Sequence, residues 1–196
     1  MRFEEFKNEW EINSLGEICD IRGRIGYRGY TVKDLVSEGD GALTIGGKHI
    51  INNKIDLSNP EYISWEKYEE SPEIKIEKGD ILVTHVGNIG ESAIVNHDIG
   101  KATINPNLIL IKDIKLLNLF LYYKLLTTNF IKETYRKANT TAVPMINQTE
   151  LGKIKISFPD LKEQEKIVDF LTLIDNKIDK IKMKIDYFKD FKKEML

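Results

Sequence analysis

One repeat near the end of the sequence constrains the fold more than any other feature. Ile167, Leu171, Ile174, Ile178, Ile181, Ile185 and Phe188 are separated by alternating steps of four and three residues, the spacing of heptad a and d positions. The stretch after Phe158 also holds nine lysines and nine acidic residues, so the rest of its surface is solvated. About 35 residues of helix at about 1.5 Å per residue would run roughly 50 Å, longer than a small domain is wide. The pattern predicts a helix that projects and pairs through these seven sites with a partner helix. A helix folded back on the body of the protein is the alternative.

The body precedes Phe158-Pro159, where the pattern changes character. Short β-branched runs cover 50–55, 74–76, 81–83, 92–95, 108–112 and 153–158, punctuated by Gly-Asp, Gly-Gly and Asn-Pro turns. Between Ile114 and about Ala138, Leu117, Phe120, Leu121, Lys124, Leu125 and Thr128 trace one helical face, extended by Phe130 and Ile131. The expected class is α+β: a mixed, β-rich domain over 1–158 with one packed helix, then a projecting coiled-coil helix over 159–196. Pro159 ends the last strand, Asp160 suits an N-cap, and Glu163 falls where a capping-box partner belongs.

Composition narrows the function classes. No apolar run approaches a membrane span and the opening residues are too charged for a signal peptide, so a cytoplasmic protein without membrane contact is expected. The single Cys19 can form neither an internal disulfide nor a zinc cluster and is expected to be a small buried apolar residue. A net charge of −2 argues against indiscriminate coating of DNA. The charge is uneven, however. Arg22, Arg24, Arg28 and Lys33 occur with no acidic residue among them, whereas six glutamates face two lysines between Glu61 and Glu77.

No catalytic motif is complete. Asn105-Pro106-Asn107-Leu108 lacks the second proline and the aromatic of an adenine methyltransferase motif and reads as a turn. Gly47-Lys48 has Ala42 and His49 where a P-loop needs glycine and a hydroxyl. Pro159-Asp160 and Asp175-Asn176-Lys177 would be about 22 Å apart on one helix, too far to share a nuclease metal. His49, His85 and His97 have no ligand spacing. The expectation is no catalytic residue, no metal and no cofactor in this chain.

Three segments resemble the specificity subunits of type I restriction-modification systems, and together they cover nearly the whole chain. The first is Met1-Arg2-Phe3-Glu4-Glu5-Phe6 with Trp10 and Leu15-Gly16-Glu17-Ile18. The second is Gly79-Asp80-Ile81-Leu82-Val83-Thr84, then Gly87-Asn88-Ile89-Gly90 and Ala93-Ile94-Val95. The most specific is Ile156-Ser157-Phe158-Pro159-Asp160-Leu161-Lys162-Glu163-Gln164, which opens the heptad helix. The resemblance implies a target-recognition domain for duplex DNA and a helix that sets its distance from a second such domain. Family members usually carry two domains and two antiparallel helices, and this sequence has one of each. The seam is then satisfied by a second copy, by another half-subunit or by a segment of chain outside this sequence, and an antiparallel homodimer is expected. The resemblance also implies docking of a methyltransferase subunit and a restriction subunit, with S-adenosylmethionine, ATP and magnesium confined to those partners.

Base reading is expected first in the segment from Arg22 to Tyr30, through Arg22, Arg24, Tyr27, Arg28 and Tyr30. Glycines there let the backbone approach DNA, arginines grip guanine edges or phosphate, and tyrosines give flat contact. Polar turns add Lys48 and His49, then Thr84, His85 and Asn88, then Lys137, Asn139, Thr140 and Thr141. Glu163 and Gln164 are expected to fix the angle of the helix. A rival reading is a coiled-coil adaptor whose globular head binds protein, which the mild acidity also fits.

Overall fold

The computed structural model describes residues 2–139 and 142–195. In chain order the elements are β1 (Glu11–Ser14), α1 (Leu15–Ile18), β2 (Asp20–Gly23), β3 (Leu35–Val36), β4 (Gly41–Ile45), β5 (Ile50–Ile51), β6 (Lys54–Ile55), β7 (Glu61–Ser64), α2 (Trp65–Glu69), β8 (Ile81–Thr84) and β9 (Ser92–Ile94). There follow β10 (Ala102–Ile104), β11 (Leu108–Lys112), α3 (Asn118–Leu125), α4 (Thr128–Lys137), α5 (Gln148–Gly152), β12 (Lys155–Phe158) and α6 (Leu161–Glu194).

Apolar runs decide the layering. In β8 and β11 every position from Ile81 to Val83 and from Leu108 to Ile111 is apolar and buried, as a strand covered on both faces requires. These strands sit at the centre of the sheet β2-β11-β8-β9. Side chains alternate across it with period two. Ile81, Val83, Ile109 and Ile111 join a core with α1, Phe120, Leu121 and Leu125 of α3, Phe130 and Leu151. Leu82, Leu108 and Leu110 face the other way, against Leu43, Ile45, Ala102 and Ile104 of the sheet β10-β4-β7-β3. The outer face of this second sheet is capped by Tyr68 of α2 with Tyr30 and Leu35. The class is α+β, as the sequence predicts.

Several elements differ from their predicted form for local reasons. The stretch expected as one helix over 114–138 is two, because the Thr127 hydroxyl accepts from Phe130 N at 3.3 Å and starts α4 afresh. The run 50–55 is a tight hairpin turning on Asn52 and Asn53 at φ of 53° and 61°, a conformation Asn adopts readily. The run 74–76 is not a strand: a single helical turn over Pro72–Ile74 ends in it, and Lys75 makes a lone bridge to Thr103.

β12 returns antiparallel to β1, and Pro159 then leads directly into α6. Asp160 caps the helix by accepting from Glu163 N at 3.1 Å. Glu163 does not close the expected capping box. Its carboxylate is buried and pairs with Arg2 Nε at 3.3 Å. Gln164 fixes the exit angle, donating from Nε2 to Pro159 O at 2.9 Å and accepting from Leu117 N at 3.1 Å. Val168 is buried in the domain core with Ile167 against it, and Tyr123 donates to Asp175 Oδ2 at 2.8 Å. Lys54 reaches Asp179 at 2.6 Å. Among the described residues, polar side chains beyond Asp179 bond only within the helix. Ile174, Ile178, Ile181, Ile185 and Phe188 are 38–58 % exposed. No helix among the described residues is long and apolar enough to cross a membrane.

Candidate nucleic-acid interface

Strand register gathers several loops at one end of the sandwich. In one sheet Gly23 lies beside Ile109, and Leu108 beside Thr84, so the loops after β2 and β8 and the turn before β11 leave from the same rim. In the other sheet Ile104 pairs with Ile45 in parallel and Thr44 lies opposite Glu61, which brings the turns at 46–49 and 105–107 there too. His85 ties the rim together. Its Nδ1 lies 3.1 Å from Ile146 O and its Nε2 2.8 Å from Pro106 O, while Gly87 N donates to Pro144 O at 3.0 Å. Between the two sheets opens a polar cleft of about 510 Å³, lined among others by Lys48, Glu61, Asn88, Glu91, Asn105 and Asn107.

The candidate residues separate into those that face solvent at the rim and those that hold it up. Lys48 and Asn88 line the cleft and are exposed, with Lys48 paired to Glu61 at 2.6 Å. Asn139 is exposed and its N–H donates to Met145 O at 2.9 Å. Lys137 is half-buried with its ammonium 4.0 Å from Glu150. Four candidates are held against the body of the domain by internal bonds. Arg24 is buried and donates to Ile104 O at 3.1 Å, to Arg28 O and Thr103 Oγ1 at 3.2 Å, and lies 5.2 Å from the Tyr30 ring centroid. Burial lowers its pKa from the ordinary arginine range. Tyr30 packs on the second sheet, its hydroxyl 2.9 Å from Thr44 Oγ1, and burial raises its pKa. His49 is buried, accepting at Nδ1 from Gly46 N at 2.9 Å, which leaves Nε2–H for Asn59 O at 3.1 Å. Thr84 is buried and donates to Asn88 O. Arg22 is exposed on β2 and pairs with Asp20, and Arg28 lies 3.4 Å from Glu73. Thr140, Thr141 and the Tyr27 side chain lie outside the described residues.

Residues 7–186 match the family described as the type I restriction modification DNA specificity domain. The chain belongs to this family. It is 29 % identical over 202 residues to the provisionally named MjaX type I restriction enzyme specificity subunit of Methanocaldococcus jannaschii, covering 98 % of this chain and 45 % of the relative. Against the HindI specificity subunit of Haemophilus influenzae it is 26 % identical over 183 residues, covering 88 % of this chain and 36 % of that one. The crystal structure of the HsdS subunit of Thermoanaerobacter tengcongensis superposes with a TM-score of 0.66 at 21 % identity, over 91 % of this chain and 40 % of that one. The chain therefore spans less than half the length of each of these relatives.

In this DNA specificity domain the cleft contains groups that loop-by-loop reading of the sequence passes over. Glu61, Glu91, Asn105 and Asn107 line it but come from a glutamate-rich stretch and from turns. The one legible signal is Asn105-Pro106-Asn107, which is the turn expected, with Asn105 Oδ1 accepting from Asn107 N at 2.9 Å. The side-chain amides of Asn88 and Asn107 have no bonding partner among the described residues. An amide can pair bidentately with adenine and a carboxylate can accept from cytosine. Lys48 is offset by Glu61 and Arg22 by Asp20, so the uncharged polar groups of the cleft are its freest candidates for contact. Among the described residues no three His, Cys, Asp or Glu side chains cluster as a metal would need.

Proposed function

We propose that the chain reads one half of a bipartite duplex DNA site through the polar rim, and that α6 pairs antiparallel with a second copy or another half-subunit to set the distance between two readers. The observation that carries this is the cleft, where the unpartnered amides of Asn88 and Asn107 lie with Lys48 and two glutamates on loops braced from below. Two identical halves would read an interrupted inverted repeat. The relatives' names place them in type I restriction enzymes. By that likeness the helices would dock a methyltransferase subunit and a restriction subunit in the cytoplasm. S-adenosylmethionine, ATP and magnesium would then act on those partners, and this chain would contribute recognition without catalysis.

The test is to map methylated adenines by sequencing in cells that carry this chain with its methyltransferase subunit, for the native protein and for Asn88→Ala/Asn107→Ala. A changed or relaxed half-site is expected with dimerisation intact. An unchanged motif at unchanged occupancy would remove the cleft from DNA reading. Binding that weakens with salt yet survives random duplex competitor separates this reading from a protein-binding adaptor.

A further inference from the structure

The apolar seam of α6 continues past the point where the helix meets the domain. Ile167 and Leu171 run into a groove of about 260 Å³, walled by Phe3, Trp10, Phe120 and Tyr123. The wall formed by the N-terminal segment is strapped to α6 at several points. Arg2 pairs with Glu163, Glu5 with Lys166, and Asn8 Nδ2 donates to Asp160 Oδ2 at 3.2 Å. The Phe3 ring meets Phe170 edge-on at 5.9 Å. Thus the groove is a firm extension of the seam.

We propose that this groove receives the last turns of α6 from a second copy of this chain, and that seating Phe188 and Phe191 there fixes the register of the antiparallel pair. The inference rests on the homodimer reading above and adds the register to it. Antiparallel packing sets a positions against d positions, and flanks e against e and g against g. With Ile167 as a d position, the facing layers are Leu171 with Phe188, Ile174 with Ile185 and Ile178 with Ile181, each with its symmetry mate, and Ile167 faces the stem of Lys192. The flanking pairs are then Asp175 with Lys182 and Phe170 with Phe191 of the second copy. Phe170 and Leu171 both line the groove, so it would hold Phe188 and Phe191. The unfavourable pair is Lys177 with Lys184, whose long side chains can diverge into solvent.

The neighbouring registers each lose either charge complementarity or apolar contact. Slipping one heptad toward the domains sets Asp175 against its own copy and Lys177 against its own copy, and places Phe170 beside Lys184. Slipping one heptad outward pairs Asp175 with Lys189 but sets Lys182 and Lys184 each against its own copy, takes Leu171 out of contact with Phe188 and faces Ile174 with Lys192. Like charges juxtaposed in this way discriminate between registers even where they add little affinity. Only the middle register combines opposite charges at Asp175 with an aromatic partner for Phe170.

Cysteine pairs read the register directly. The native Cys19 is buried, and burial pushes its thiol up to about 12, so it is silent to thiol reagents. Full-length Phe170→Cys is mixed with Phe191→Cys, or with Lys184→Cys, and treated with the shortest bifunctional methanethiosulfonate. Several-fold more 170–191 than 170–184 product is expected. An excess of 170–184 product, or a dimer by sedimentation with neither product, would overturn the groove while leaving the homodimer standing. A monomer at micromolar concentration would overturn the homodimer and the groove with it. Phe191→Ala should raise the dimer dissociation constant about tenfold or more, by loss of a buried ring. Met183→Ala, exposed on the opposite face of α6, should leave it unchanged; equal effects of the two would also overturn the groove.

Discussion

β11 and the seam of the outer half of α6 both carry large apolar side chains, and these meet opposite fates. Leu108, Ile109, Leu110 and Ile111 are entirely buried, whereas Ile181 is 58 % and Phe188 53 % exposed. The difference lies in what each element can reach within the chain. A central strand has a covering layer on each face, here the second sheet and the helices. A 34-residue helix about 50 Å long leaves the domain behind after Asp179. Apolar side chains specify the fold where the chain can cover them and specify a partner where it cannot.

Substitutions of similar chemistry should therefore give different readouts in the two regions. Leu110→Ala opens a cavity between the sheets and is expected to destabilise the domain by about 2–5 kcal/mol in urea unfolding. Ile181→Ala should shift domain unfolding by about 0.5 kcal/mol or less, as surface positions do, while markedly weakening self-association by sedimentation. If Ile181→Ala unfolded the domain as strongly as Leu110→Ala, the contrast between the regions would collapse.

Arg24 sharpens the same contrast from the polar side, because a cation placed by the sequence among the DNA readers is buried as a brace. Arg24→Met removes donors to Ile104 O, Arg28 O and Thr103 Oγ1. The expected loss is about 1.5–3 kcal/mol, the range for hydrogen bonds from charged groups. It should be accompanied by loosening of residues 24–30 in hydrogen exchange. Asn88→Ala, at an exposed rim position, should leave stability within about 0.5 kcal/mol. An Arg24→Met variant as stable as the native chain would return Arg24 to the list of groups free to meet DNA.

These residues show what could be read in advance. Periodicity is a one-dimensional signal, so the doubly covered strands, the heptad seam and the Pro159-Asp160 start of α6 were legible. The break at Thr127 was less so, since the apolar spacing runs across it and only one hydroxyl, donating to Lys124 O and accepting from Phe130 N, marks the interruption. Site residues were harder still. Arg24 and Lys48 look alike in sequence, and which of them points inward depends on Thr103 and Ile104, some 80 positions away from Arg24. Likewise Asn107 and Glu91 enter the cleft through strand register, which no local motif records.

The smallest expected effect tests the hinge between the two regions. Asp160 accepts from Glu163 N and from Asn8 Nδ2, and the backbone bond to Glu163 holds its pKa below the ordinary value of 3.8. A carboxylate whose folded pKa is depressed contributes stability above its unfolded pKa, and that contribution is lost as pH falls through the folded value. The native chain should therefore lose part of its stability below about pH 4. Asn at this position keeps an oxygen for the cap and does not titrate. Asp160→Asn is accordingly expected to unfold at nearly the native urea midpoint at neutral pH and to show a shallower decline in acid. Parallel acid limbs for the two proteins would mean that the anchoring of α6 comes from Gln164, Val168 and the Arg2–Glu163 pair, without a measurable share from the cap.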